Sequence, residues 1–249
     1  MNPVFSENIF RREATAIHPS TVMTVAGTAR KTVMLLLLVA AGAAYTWKVA
    51  YQAINPSSVM PWMWGGLIVG FILALIISFK PKTAPYLSPV YAAAEGLFLG
   101  AISAIYNNAF ASVAPGIVMN AVLLTLITAL LMMTLYRSRL IKVDGKFMRI
   151  MLIAIGAVMA YYVITIVLSL FGVNLIMLHN GGLLSIGISL VIVGIAAFSL
   201  MLDYHFIEKA SAMQAPKYME WYGAFGLIVT LVWLYLEVLK LLGKFAQRN

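Results

Sequence analysis

The sequence has no cysteine, which excludes disulfides, thiol catalysis and Cys-ligated zinc. Charge is nearly as scarce: 10% of the residues are charged, against about a quarter in a soluble domain. Carboxylates number 8 in 249 residues. Histidine occurs 3 times, as His18, His179 and His205. With no HExxH, no GxSxG and no phosphate-binding loop, soluble-type catalysis has no support. The chain therefore reads as non-enzymatic, with no cofactor expected. A low-complexity tract and a clear internal repeat are also missing, which argues against a simple duplicated transporter.

Apolar sequence is what the chain has in abundance. Hydrophobic residues make up 63% of it, gathered into seven runs at about 32–54, 61–79, 86–106, 114–136, 147–171, 181–202 and 218–242. Each is long enough to cross about 30 Å of hydrocarbon as a helix. The runs are continuously apolar rather than alternating, which excludes an outer-membrane barrel. Pro56, Pro61, Pro81, Pro85, Pro115, Asp144-Gly145, Gly181-Gly182 and Pro216 punctuate them, as helix boundaries require. The predicted fold class is all-α: a polar N-terminal arm over residues 1–31, then a single seven-helix transmembrane domain over 32–249. The first run resembles a cleavable signal around Ala40–Ala44. Its leading segment is long, however, and apolar sequence continues past the small residues, so it is read as an uncleaved span.

The formal net charge is +9. In a soluble protein that would point to nucleic acid. Here the positive residues cluster in short loops, where they set topology and meet anionic lipid headgroups, so no nucleic-acid partner is expected. With the N-terminus in the cytoplasm, 13 of the 17 Lys and Arg fall on the inner side and 4 on the outer side. This distribution favours N-inside. One feature runs against it: seven crossings put the C-terminus outside, yet Lys240, Lys244 and Arg248 lie there.

Carboxylates inside apolar runs are functional candidates, because an intramembrane charge is costly without a partner, water or an ion. Asp203 lies where the run Phe198–Leu202 gives way to the polar Asp203–Glu208. It is either a solvated helix end or a functional group. Glu95 lies within the third run, beside Gly96 and Gly100, whose spacing puts both on one face suited to close helix packing. That position turns Glu95 towards the bundle, either as a structural group bonded to a neighbouring backbone or as a functional one. Glu237 and Lys240 are three apart and so share a face on which they can neutralise each other. Glu220 opens the last run, at the level of the headgroups. His205 reads as a solvated loop residue, Trp233 and Tyr235 as interfacial anchors, and Gly66 and Gly70 as packing positions. Lys240 stands too near the end of its run to suggest a retinal site.

Taken together, Asn2–Phe5, Glu95-Gly-Leu-Phe-Leu-Gly100, the Asp203 segment, Trp221–Leu227 and Leu231–Glu237 resemble the Bax inhibitor superfamily, in particular its bacterial YccA-like branch. The resemblance implies a seven-helix bundle with the last helix near its centre, in the bacterial inner membrane. It implies a pH-sensitive calcium (cation) leak, with calcium as permeant or bound ion. It also implies two hydrogen-bonded carboxylates controlling the pore and a basic latch near the end of the second helix. Asp203 takes the place of the first carboxylate. Leu234-Tyr-Leu-Glu237 resembles the motif of the second, and Asp203 with Glu237 would be the calcium ligands. Lys80 stands where the latch, usually Arg, would be.

Two close carboxylates share a proton and titrate as a coupled pair. Deprotonated, they offer the oxygen ligands that calcium prefers. The spacing departs from the family pattern, since Glu237 lies about 28 Å along a helix starting near Tyr218, at roughly 1.5 Å per residue. Glu220 fits better by depth and worse by motif. Two alternatives to a leak channel stay open. One is a proton-coupled transporter using Glu95 and Asp203. The other is a non-transporting protein that acts on a membrane protein partner such as a protease or stress factor.

Overall fold

Inside a bilayer every backbone N–H and C=O must find an internal partner, so continuously apolar runs become helices. The computed structural model describes residues 22–52, 56–172 and 182–248. It contains the long helices α1 (Val25–Gln52), α2 (Met60–Phe79), α3 (Ala84–Ala109), α4 (Ile117–Arg137), α5 (Gly145–Leu170), α6 (Leu183–Ala212) and α7 (Met219–Ala246). Among the described residues there is no strand, and one isolated bridge joins Val22 to Pro216. All 7 helices are long and apolar enough to cross a membrane, so the chain is a multi-pass membrane protein. The opening Asn2–Phe5, Arg11, Arg12, His18, Asn55, His179 and most of the segment 172–180 lie outside the described residues.

Two helices differ from their sequence-based bounds for physical reasons. The first begins at Val25, inside the stretch read as a polar arm. Arg30 and Lys31 are therefore helical, and Lys31 is held there by Glu220. The sixth does not stop at Leu202 but runs to Ala212. Its polar residues alternate with the buried Phe206, Ile207 and Ala210, so one face keeps packing beyond the apolar run. It stops just before Gln214, whose φ of 56° is left-handed, while Ala215 N–H returns to the carbonyl of Ala210 at 3.1 Å.

Packing divides the chain into two units. One takes the described residues up to Ile105 together with Asp203–Val232. Its α1 buries Thr28, Thr32, Leu35, Val39 and Thr46, a stripe at helical spacing. Small residues let backbones meet. A Cβ on Gly96 of α3 would strike the Val39 carbonyl, and one on Gly100 would strike Ala43 and Thr46. On α2, a Cβ at Gly66 would come within 2.6 Å of the Ala94 carbonyl. The helix α3 is thus gripped by α1 and α2, which explains why it buries residues nearly all round.

The other unit comprises Tyr106–Leu202 and Trp233–Asn249. Here α4 buries Ile117, Ala121 and Thr125, and α5 buries Met151, Ile155 and Val158. These are narrow stripes at about one residue per turn, and the remaining apolar surface, such as Ile153 and Leu130, lies open, as lipid-facing helix sides do. Asp144 caps α5 by accepting from the Phe147 N–H at 2.7 Å. In this unit α7 buries Leu234, Tyr235, Val238 and Leu239. Tyr235 is therefore a core residue rather than an interfacial anchor, while Trp233 is half-buried.

Candidate functional site

Glu95, Asp203, Glu220 and Glu237 are each less than a tenth exposed. Carboxylates enclosed in apolar helices need compensation, and Glu220, Glu95 and Glu237 find it in different partners.

Glu220 stands in the first turn of α7 and is fully buried within the protein. Its Oε1 accepts from the Thr24 N–H and the Thr24 hydroxyl, both at 2.9 Å. Lys217 Nζ lies 3.1 Å from the same oxygen, and Lys31 Nζ donates to Oε2. Thr24 Oγ1 in turn accepts from the Gly27 N–H at 2.9 Å. Glu220 thus helps cap α1 from a separation of 196 positions, satisfying amides that a helix start leaves open. Gly27 makes the approach feasible, because a Cβ there would collide with the Glu220 carboxylate. The Lys31 ammonium also sits 5.5 Å from the Trp221 ring centroid. Beside this cluster, the Met23 N–H donates to the Ala215 carbonyl at 2.7 Å.

The same unit holds Asp203 and Glu95. Asp203 is 1% exposed, and the sequence-based placement at a helix end is corrected: α6 continues to Ala212. His205, read from sequence as a loop residue, is likewise inside α6 and half-buried, its ring centroid 6.1 Å from that of Phe206. Glu95, on α3, is buried on a face that packs against a neighbouring helix, as its place beside Gly96 predicts. It is hydrogen-bonded to Tyr91 one turn earlier, and Tyr91 meets Phe225 edge-on at 4.8 Å. A Cβ on Gly70 of α2 would come within 2.8 Å of Glu95 Oε1, so that glycine makes room for the carboxylate.

In the other unit Glu237 accepts from the Tyr162 hydroxyl at 2.7 Å and from Lys240 Nζ at 3.1 Å. The Lys240 contact is the pairing expected from three-residue spacing. Lys240 also lies 4.7 Å from the Tyr162 ring centroid, a cation–π arrangement. Nothing local in the sequence points to Tyr162, which is 75 positions away.

A family model described as Bax inhibitor 1 like matches residues 2–247. The chain belongs to the Bax inhibitor 1 like family. No individual curated protein and no solved structure matches it.

Two further expectations for this family member concern Lys80 and calcium. Lys80 is exposed and caps the end of α2, its carbonyl accepting from the Thr83 N–H at 2.9 Å and hydroxyl at 2.8 Å. Among the described residues no ion pair of Lys80 with a carboxylate is found. As for calcium, the ion takes about six to eight oxygen ligands. Among the described residues there is no group of three or more His, Asp or Glu that could hold a metal, and Glu237 Oε1 is already engaged by a hydroxyl and an ammonium.

Proposed function

We propose that this Bax inhibitor 1 like protein is a pH-sensitive cation leak channel of the bacterial inner membrane, with calcium as the permeant ion and Asp203 as the proton-sensing group. The observation that carries the reading is the enclosure of Asp203 within a long helix rather than at its end. A carboxylate buried there links its charge state to the packing around it. A proton that binds one of two conformations better shifts the balance between them. Glu220 and Glu237 are candidates for the second carboxylate, yet each holds a lysine ammonium. A proton shared with either would have to weaken that ion pair, so in this reading they act first as counter-ions. Lys80, at the exposed end of α2, is the proposed latch.

A second reading is proton-coupled transport through Glu95 and Asp203. It is favoured by the second buried carboxylate, Glu95, within the same unit.

The test is calcium flux into liposomes holding the purified protein across roughly pH 5–8, the window in which a physiological switch must titrate. Asp203→Asn is measured beside it. The expected outcome is a pH-dependent flux in the parent protein and a flattened pH profile in the variant. An unchanged profile in Asp203→Asn would sink the gating role. Uphill movement driven by a proton gradient would select the transporter. No flux above empty liposomes at any pH would leave the regulator of membrane proteases or stress factors.

A further inference from the structure

A groove of about 650 Å³ runs between α5 and α6, within the roughly 300–1,000 Å³ range of ligand pockets. Its walls are Ala154, Ala157 and Tyr161 on one side and Leu184, Gly187 and Ile188 on the other. The Tyr161 hydroxyl is the polar side-chain group among the lining residues. At Gly187 the floor is open, since a Cβ there would meet nothing within 4 Å. The neighbouring surfaces carry exposed Ile153 and Leu190, so acyl chains surround the groove in a bilayer.

Next to this apolar slot stands a group of cations. Lys240 and Lys244 are four apart on α7 and share a face. Lys240 lies over Tyr162, whose ring is 5.3 Å from that of the groove residue Tyr161. Lys244 Nζ donates to Ser189 Oγ at 2.7 Å and to the Ser185 carbonyl at 3.3 Å. Ser185 and Ser189 follow the groove residues Leu184 and Ile188 directly in the chain. Lys244 is thus held by residues that adjoin the groove residues in the chain, and Lys240 by a ring packed against that of a groove residue. From Glu237 to Arg248 the chain carries Lys240, Lys244 and Arg248 against one carboxylate, so the cluster keeps an excess of positive charge.

We propose that this is a binding site for an anionic glycerophospholipid, with an acyl chain in the α5–α6 groove and the headgroup phosphate at Lys240 and Lys244. The two halves complement the two ends of such a molecule: an apolar slot for the chain, and ammonium donors beside its wall for the phosphate. The site also gives the C-terminal cations, which the inside-outside distribution of Lys and Arg leaves unexplained, a lipid-binding role. It does not rest on the leak reading, because its test measures no flux.

The experiment is native mass spectrometry of the full-length protein in detergent, titrated with dioleoyl phosphatidylglycerol or dioleoyl phosphatidylcholine. The parent protein is expected to retain the anionic lipid over the zwitterionic one. Lys244→Gln should reduce that preference roughly fivefold, the increment of one lysine near an anionic surface. Gly187→Leu fills the groove from a position with open space and should lower retention of both lipids. Equal retention of the two lipids by the parent protein overturns the proposal. Parent-like retention in Gly187→Leu also overturns it, and this variant decides the matter should Lys244→Gln fail to fold. Protein dimers with neither lipid bound would assign the groove to a second copy of the chain instead.

Discussion

Glu220 has two lysine partners of unequal worth. The Lys31 side chain is 19% exposed, whereas that of Lys217 is 51% exposed. An exposed partner contributes about 0–1 kcal/mol. Removing the enclosed partner leaves a buried charge poorly compensated, at a cost of up to roughly 3–5 kcal/mol. Lys31→Met is therefore expected to lower the thermal midpoint of the purified protein clearly, and Lys217→Met to leave it nearly unchanged. Equal shifts in a detergent melting assay would show that the cluster has no such hierarchy. Sequence spacing reveals Glu237 with Lys240, because three positions on a helix define one face. It does not reveal Glu220 with Lys31, which are 189 positions apart, nor Tyr162 with Glu237. Such pairs depend on how helices pack, and no local pattern encodes that. Residues Thr24 and Gly27 give a faint signal as a helix start, one that the polar composition of the arm masks.

At the level of helices, α3 is where small residues decide the packing. Gly96 has no room for a side chain because the Val39 backbone lies against it, whereas Gly65 on α2 faces open space. Gly96→Leu should separate α1 from α3, costing more than the roughly 1–3 kcal/mol of ordinary overpacking, since backbone yields less readily than a side chain. Gly65→Leu should be tolerated. Limited proteolysis of the two variants checks this, and equal resistance would refute the account. The number of helices and their type follow from the apolar runs, because the bilayer leaves one option for the backbone. Their ends follow less well. The helix α6 keeps its form through Asp203–Lys209, because buried Phe206, Ile207 and Ala210 continue its interior face after mean hydropathy has fallen. A window that averages over all faces misses that.

At the scale of the whole molecule, seven full crossings by the described helices would place the two ends of the chain on opposite sides of the membrane. The absence of cysteine makes this directly measurable, since no native thiol competes. With the N-terminus inside, Ser138→Cys in the loop after α4 is expected to react with an impermeant maleimide from the cytoplasmic face. Arg248→Cys beyond α7 should react from the other face. Labelling of both from one face would mean that the last helix does not cross. The contact between Thr24 and Glu220 has a further consequence, in the order of manufacture. The first helix emerges from the ribosome long before the group that caps it. At about 5–20 residues per second, the 196 positions between them take roughly 10–40 s to synthesise. Throughout that interval Lys31 is without the counter-charge of Glu220, and the start of α1 lacks the carboxylate that caps it. A chain cut short before Glu220 never closes this gap. The clamp therefore distinguishes finished molecules from truncated ones.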